Sequence, residues 1–276
     1  MPTGTILLLG AFAGLTIYLG LPLAFVKKAP QSLKAFLSML ATGILIFLLY
    51  DVLGKASAPI NGLIEQVRTQ QTGGTTLLLD MFLFVFGLLL GLIGLVYFNK
   101  QVIARFKSSH PAPTGGESAA ASSSAGMPAQ TLALIIATGM GLHNFSEGLA
   151  IGQSAAGGAL QLASVLIIGF GLHNMTEGFG IAGPLTGQSV SWKFILLAGL
   201  IGGGPTFLGT VIGIAFHSTE IFIFCLTLAA GAIIYVVAEL LGVAKRFKAQ
   251  EIVMWGLLIG FLLGYVTDLV ITYAGA

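Results

Sequence analysis

Charge is the scarcest feature of this chain: 8% of its 276 residues are Asp, Glu, Lys or Arg, against roughly 25% in an average soluble domain. That scarcity excludes a water-soluble globule. Cysteine is nearly absent, and the single Cys225 excludes an intrachain disulfide framework and a thiolate metal cluster. The alternation of apolar and polar residues over segments of about ten that marks a transmembrane barrel is missing. No basic stretch precedes the first apolar run, so that run reads as a first span and not as a secretory leader. The net charge of +2 implies no nucleic-acid partner.

What fills the chain instead is apolar: 56% of the residues are hydrophobic and the mean hydropathy is +0.97. Runs of about 20 such residues cross a hydrocarbon core roughly 30 Å thick. Broken at charges, prolines and polar clusters, the sequence predicts eight spans: Thr5 to Val26, Leu33 to Gly54, Leu77 to Asn99, Thr131 to Gly157, Leu160 to Leu185, Lys193 to Phe216, Glu220 to Val243 and Glu251 to Tyr273. The expected fold is an all-α polytopic membrane bundle of eight transmembrane helices. Residues 1–107 hold three helices, 108–129 form a Ser-, Ala-, Gly- and Pro-rich flexible loop, and 130–276 hold five, all in one membrane domain. Glycine, 39 residues of the chain, suits close helix packing in lipid.

Basic residues divide unevenly between alternate connections. Lys27, Lys28, Lys34, Lys100, Arg105, Lys107, Lys193, Lys245, Arg246 and Lys248 fall on one side, and only Lys55 and Arg68 on the other. The positive-inside rule then puts both termini outside and the long loop in the cytoplasm of a multi-pass plasma (cytoplasmic) membrane protein.

The decisive feature is a repeat. Gly139-Met-Gly-Leu-His-Asn-Phe-Ser-Glu-Gly-Leu-Ala-Ile151 returns, with eight of thirteen positions identical, as Gly169-Phe-Gly-Leu-His-Asn-Met-Thr-Glu-Gly-Phe-Gly-Ile181. The shared polar set is His143, Asn144 and Glu147 in the fourth span, and His173, Asn174 and Glu177 in the fifth. On a helix each triplet projects into one patch. Both histidines lie near 18 to 20 Å along their spans at about 1.5 Å per residue, so antiparallel neighbours bring both patches to mid-membrane. Two glutamates at that depth require a cation, protons or a water-filled cavity. Imidazole nitrogens with carboxylate and amide oxygens suit Zn²⁺, Fe²⁺, Mn²⁺ or Co²⁺ better than Mg²⁺ or Ca²⁺. The plainer alternative is a polar clamp that ties the two helices together and binds nothing.

At these residues the sequence resembles the ZIP (Zrt/Irt-like) family of divalent metal transporters, specifically its prokaryotic GufA-like members. The family carries His-Asn-x-Pro-Glu-Gly on its fourth helix and a similar motif on its fifth, in eight spans with both termini outside and a long cytoplasmic loop after the third. The resemblance implies transport of Zn²⁺, or alternatively Fe²⁺, Mn²⁺, Co²⁺ or Cd²⁺, with His143, Asn144, Glu147, His173, Asn174 and Glu177 as ligands and no resident cofactor. It also implies sliding of helices 1, 4, 5 and 6 against helices 2, 3, 7 and 8, and a homodimer in the lipid bilayer. Three departures stand out. Ser146 and Thr176 replace the usual prolines, so any kink rests on hydroxyl back-bonding or glycine. Gly202-Gly-Gly204 precedes Pro205 where many relatives have an acid, which favours one ion per site. The loop has a single histidine, His110, so metal sensing there is not expected.

Other acids invite weaker readings. Asp51, Asp80 and Asp268 fall near external helix ends, where interfacial water makes a charge cheap. Asp51 is a candidate for the entrance and also stands four residues before Lys55, an ordinary ion-pair spacing. Glu239 is a candidate for the exit. His217 and Glu220 bracket an external turn and could attract a cation, although Glu220 equally suits a helix N-terminus. Competing functions are an intramembrane metal-dependent enzyme, disfavoured because no His-Glu-x-x-His or Glu-x-x-His pattern occurs, and a proton-linked transporter of an organic solute.

Overall fold

The computed structural model describes residues 2–28, 30–109, 128–157, 160–215, 218–244 and 249–273. Most of the expected loop lies outside them, as do His110, His217, Lys245, Arg246 and Lys248. Eight helices and no strand are found among the described residues. They are α1 (Thr3–Phe25), α2 (Gln31–Gln70), α3 (Gly74–Ser109), α4 (Ala129–Ala156), α5 (Leu160–Ala182), α6 (Trp192–Ala215), α7 (Thr219–Ala244) and α8 (Gln250–Tyr273). A short 3₁₀ turn, Gly183–Leu185, extends α5. α1 is not uniform: its regular part ends at Leu15, and Leu21–Phe25, which contains Pro22, is a 3₁₀ turn. Just beyond the end of that regular part the Thr16 hydroxyl donates to the Ala13 carbonyl at 2.6 Å.

Six of these helices are long and apolar enough to cross a membrane on composition alone. Of the helices described along their whole length, α4 is not among the six, because His143, Asn144 and Glu147 lower its hydropathy; its burial inside the bundle compensates. The largest departure from expectation is α2. Its apolar part ends near Gly54, yet the helix continues through Pro59 to Gln70. Its 40 residues reach roughly 60 Å at 1.5 Å each. The polar extension is held as a helix by local means. Arg68 forks onto Glu65 at 2.6 and 2.9 Å, and Gln71 ends the helix with a left-handed φ of 55° and an N–H bond to the Val67 carbonyl at 3.1 Å. Similarly α3 runs ten residues past Asn99 to Ser109.

The packing divides into two halves. α4 on α6 is the most extensive pairing, and α1 packs on both α6 and α5. The other half pairs α2 with α8, α3 with α7, and α2 with α7. Within each half, glycines bring backbones into direct contact. A methyl group built on Gly14 would land on the Gly203 carbonyl, one on Gly148 on the Thr206 carbonyl, and one on Gly209 on the Phe145 carbonyl. In the second half, Gly260 meets the Leu40 carbonyl and Gly91 the Leu228 carbonyl in the same way. Between the halves the spacing is looser: a methyl on Gly139 would sit 3.7 Å from Ala232 Cβ and 3.8 Å from Val236 Cγ2. The closest glycine approach to a backbone there is Gly183 to the Leu37 carbonyl, at 3.2 Å; Gly187, beyond α5, meets the flexible end of the Lys34 side chain. Apolar side chains such as Leu45, Leu48, Ile136, Met140, Ile233 and Val236 fill the boundary. Large apolar groups on the outside, among them Phe82, Val85, Trp255 and Leu258, are exposed as lipid contact requires.

One acid differs from its sequence reading. Asp80 does not rest in interfacial water: it is 1% exposed, and neither carboxylate oxygen has a hydrogen-bond partner. The register of α3 on α7, with Gly87 against Thr227 and Gly91 against Leu228, places Asp80 at the level of the first turn of α7.

Candidate metal centre

The two copies of the repeat place their histidines and glutamates in one buried cluster. In α4 the four-residue spacing sets His143 Nε2 3.2 Å from Glu147 Oε1, and in α5 it sets His173 Nε2 3.8 Å from Glu177 Oε1. The imidazole rings of His143 and His173 face each other across the helices with centroids 5.9 Å apart. Ligand atoms of His143, His173 and Glu177 lie within 4.8 Å of one another, near enough for one ion to touch all three after small side-chain movements. All of these residues are buried, Glu147 being the most accessible at 5%.

The two asparagines part company. Asn144 Nδ2 donates to Glu177 Oε2 at 2.7 Å and to the Gly202 carbonyl at 3.0 Å. It therefore fixes the Glu177 carboxylate from the opposite helix and anchors it to α6. Asn174 Nδ2 donates to the Ala13 carbonyl at 3.0 Å, so it ties α5 to α1. Identical motif positions thus serve different neighbours, because α4 packs on α6 and α5 packs on α1. Replacing Asn174 by Ala removes one buried hydrogen bond and is expected to lower stability by about 1 kcal/mol. Asn144→Ala instead frees Glu177 and is expected to weaken metal-induced stabilisation. Thermal unfolding of both variants in detergent, with and without Zn²⁺, separates the two effects.

Polar atoms without partners mark what the centre lacks. Both nitrogens of His143, Nε2 of His173, Oε2 of Glu147, Oε1 of Glu177 and Oδ1 of Asn144 are buried with no hydrogen-bond partner. Buried polar groups are nearly always paired, and each of these side chains can offer an electron pair to a cation. One cation can take a nitrogen from each of His143 and His173 together with Glu177 Oε1; among the described residues the clamp across the helices is limited to the bond from Asn144 to Glu177. Ser146 and Thr176, in the usual proline positions, leave both helices unbroken. The Thr176 hydroxyl back-bonds to the His173 carbonyl at 2.7 Å, and the Ser146 hydroxyl approaches the Leu142 carbonyl at 3.5 Å.

The Gly-rich run before Pro205 contributes backbone instead of an acid. Pro205 has no N–H to give the Ile201 carbonyl, and Gly141 lies directly against that carbonyl. One residue on, Gly202 supplies the carbonyl that accepts from Asn144. This use of backbone has no sequence signal beyond the run of small residues itself.

The candidate pathway residues are placed separately. Asp51 pairs with Lys55 at 2.7 Å. Glu220 accepts from the Ser218 hydroxyl at 2.7 Å at the start of α7. Glu239 is half-buried on α7, a turn beyond Val236, which lies against Gly139. Lys55, which the sequence offers only as the partner of Asp51, lines a cavity with His143 and Glu147.

Comparison with known families accords with this arrangement. The family model for the ZIP zinc transporters matches residues 99–268, from the end of α3 through most of α8. The chain belongs to the ZIP family, whose members carry divalent metal ions across membranes. No curated protein matches the sequence.

Proposed function

We propose that this protein carries Zn²⁺ into the cytoplasm through the His143, Asn144, Glu147, His173, Asn174 and Glu177 centre, one ion per cycle. The observation that supports this best is the set of unpartnered, buried ligand atoms contributed by both α4 and α5. His143, His173 and Glu177 converge on one ion, Glu147 lies at the outer lip beside His143, and Asn144 orients Glu177. Two carboxylates balance one divalent charge, so the loaded centre crosses the membrane interior without net charge. Borderline imidazole ligands favour zinc over hard ions that demand all-oxygen shells. Asn174 belongs to the same patch through its free Oδ1.

Movement follows from the packing. Backbone-tight glycine contacts join α1, α4, α5 and α6 into one block; in the other they join α2 to α8 and α3 to α7, and α2 packs on α7, while side chains fill the boundary. We read the first block as the part that carries the ion and the second as its frame, each in the plasma membrane with the basic connections inside. Asp51 and Glu220 then lie on the outer side and Glu239 on the inner side of the path.

The test is uptake into proteoliposomes that contain a metal-sensitive dye. Saturable Zn²⁺ uptake, with Fe²⁺, Mn²⁺, Co²⁺ and Cd²⁺ run as a series, is the expected result; tight binding without uptake would defeat the reading. Protons compete with metal for imidazole and carboxylate, so KM for zinc is expected to rise as the outer solution is acidified through about pH 6, the ordinary imidazole range.

A further inference from the structure

A cavity of about 380 Å³ opens beside the metal centre, lined by His143 and Glu147 of α4, Phe170 of α5, Phe222 of α7, and Lys55 and Pro59 of α2. A lysine in the wall of a cation pathway is unexpected, since its charge opposes the cargo. Its surroundings are specific. The ammonium is held by Asp51 at 2.7 Å and lies 5.6 Å from the centroid of the Phe170 ring, one turn before His173; Lys55 shares the cavity wall with Glu147 and is under the charge of Glu147 and Asp268. Asp51 and Lys55 belong to the framing block, and Glu147 and Phe170 to the carrying block.

Without cargo, the centre holds two buried carboxylates in a cavity that small monovalent ions could enter. An ammonium tethered beside Glu147 partly neutralises that charge at a high effective concentration. A free monovalent ion that takes its place adds no charge over the tethered one and loses the tether. A divalent ion adds a full unit of charge near two carboxylates in a weakly screened site. We propose, on the basis of the metal-transport reading, that Lys55 is a tethered counter-cation of the metal-free centre that divalent ions displace and monovalent ions do not, so that it selects cargo by valence. Asp51 sets its strength, by holding the ammonium partly away from Glu147.

Zinc uptake by Lys55→Met, Asp51→Asn, the double variant and Lys55→Arg tests this, at constant ionic strength in choline and then in sodium. In choline, Lys55→Met is expected to lower KM about tenfold by removing the competitor, and Asp51→Asn to raise it about threefold by releasing the competitor onto Glu147. The double variant is expected to follow Lys55→Met, and Lys55→Arg to stay near the wild type. Sodium in place of choline is expected to raise the KM of Lys55→Met and leave that of the wild type unchanged. An ion pair that serves only structure shifts both single variants in the same direction; that result, or sodium insensitivity of Lys55→Met, overturns the proposal. Lys55→Gln replaces Lys55→Met if the latter does not fold. A wild type without saturable uptake is a different failure, since it removes the transport reading itself and the role of Lys55 with it.

Discussion

Zinc uptake is expected to vanish when His173 and Glu177 are both changed to Ala. The pair supplies two of the three ligand groups that lie within 4.8 Å of one another, and the only ones from α5. Removing them leaves His143 and Glu147 with only the weak amide oxygens of Asn144 and Asn174, a remnant that holds an ion poorly. Even outer-shell partners of metal ligands are worth about 10–100-fold in affinity, so loss of two direct ligands is expected to cost at least about a thousandfold. Deleting a buried carboxylate together with its neighbouring imidazole also removes a desolvated charge, so the fold is expected to survive. The measurements are dye-reported uptake in proteoliposomes, zinc-induced thermal stabilisation in detergent, and gel filtration to confirm folding. A stabilisation of about 2.7 kcal/mol at a hundredfold excess of zinc over Kd is expected in the wild type and absent in the variant. Undiminished uptake by a folded variant would move the path elsewhere.

A second large effect is expected where glycines join backbones inside the carrying block. Gly203→Ala drives a methyl into the Gly14 carbonyl, and Gly209→Ala drives one into the Phe145 carbonyl; neither partner is a side chain that can turn aside. Each is expected to destabilise by about 1–3 kcal/mol, the usual range for forced overpacking, and more with Val. Gly139→Ala, at the boundary between blocks, meets only Ala232 and Val236 at ordinary contact distance and is expected to cost well under that. Thermal unfolding of the three variants side by side checks the contrast. Equal losses at Gly139 and Gly203 would dissolve the distinction between tight blocks and a looser boundary, and with it the proposed movement.

The eight helices were legible because bilayer thickness imposes a length on apolar runs, and the polar repeat because two identical triplets stand out in such a background. What escaped the sequence depends on neighbours. α2 beyond Gly54 is invisible to hydropathy, which measures the membrane and not the helix; its polar end is held by Glu65, Arg68 and the Gln71 turn. Asn144 and Asn174 read identically, yet one orients Glu177 and the other holds α1, since a repeat in sequence does not repeat its surroundings. Asp80 looked interfacial from its distance to a helix end, but packing of α3 on α7 buries it. Lys55 looked like half of a surface pair; only the approach of α4 and α5 to α2 shows that it borders the centre.

The polarity of α4 and α5 also bears on how the protein is made. Emerging in sequence from the ribosome, α4 falls short of the apolarity needed to cross a membrane on composition alone, and α5 carries the same polar triplet, so neither is expected to partition into lipid as readily as its neighbours. Their polar faces find shelter only against other helices, and the chief partner of α4 is α6, which is synthesised after both. The pair is therefore expected to wait at the insertion machinery until α6 arrives. The residues suited to gripping a cation are, for the same chemical reason, the ones expected to enter the bilayer in company.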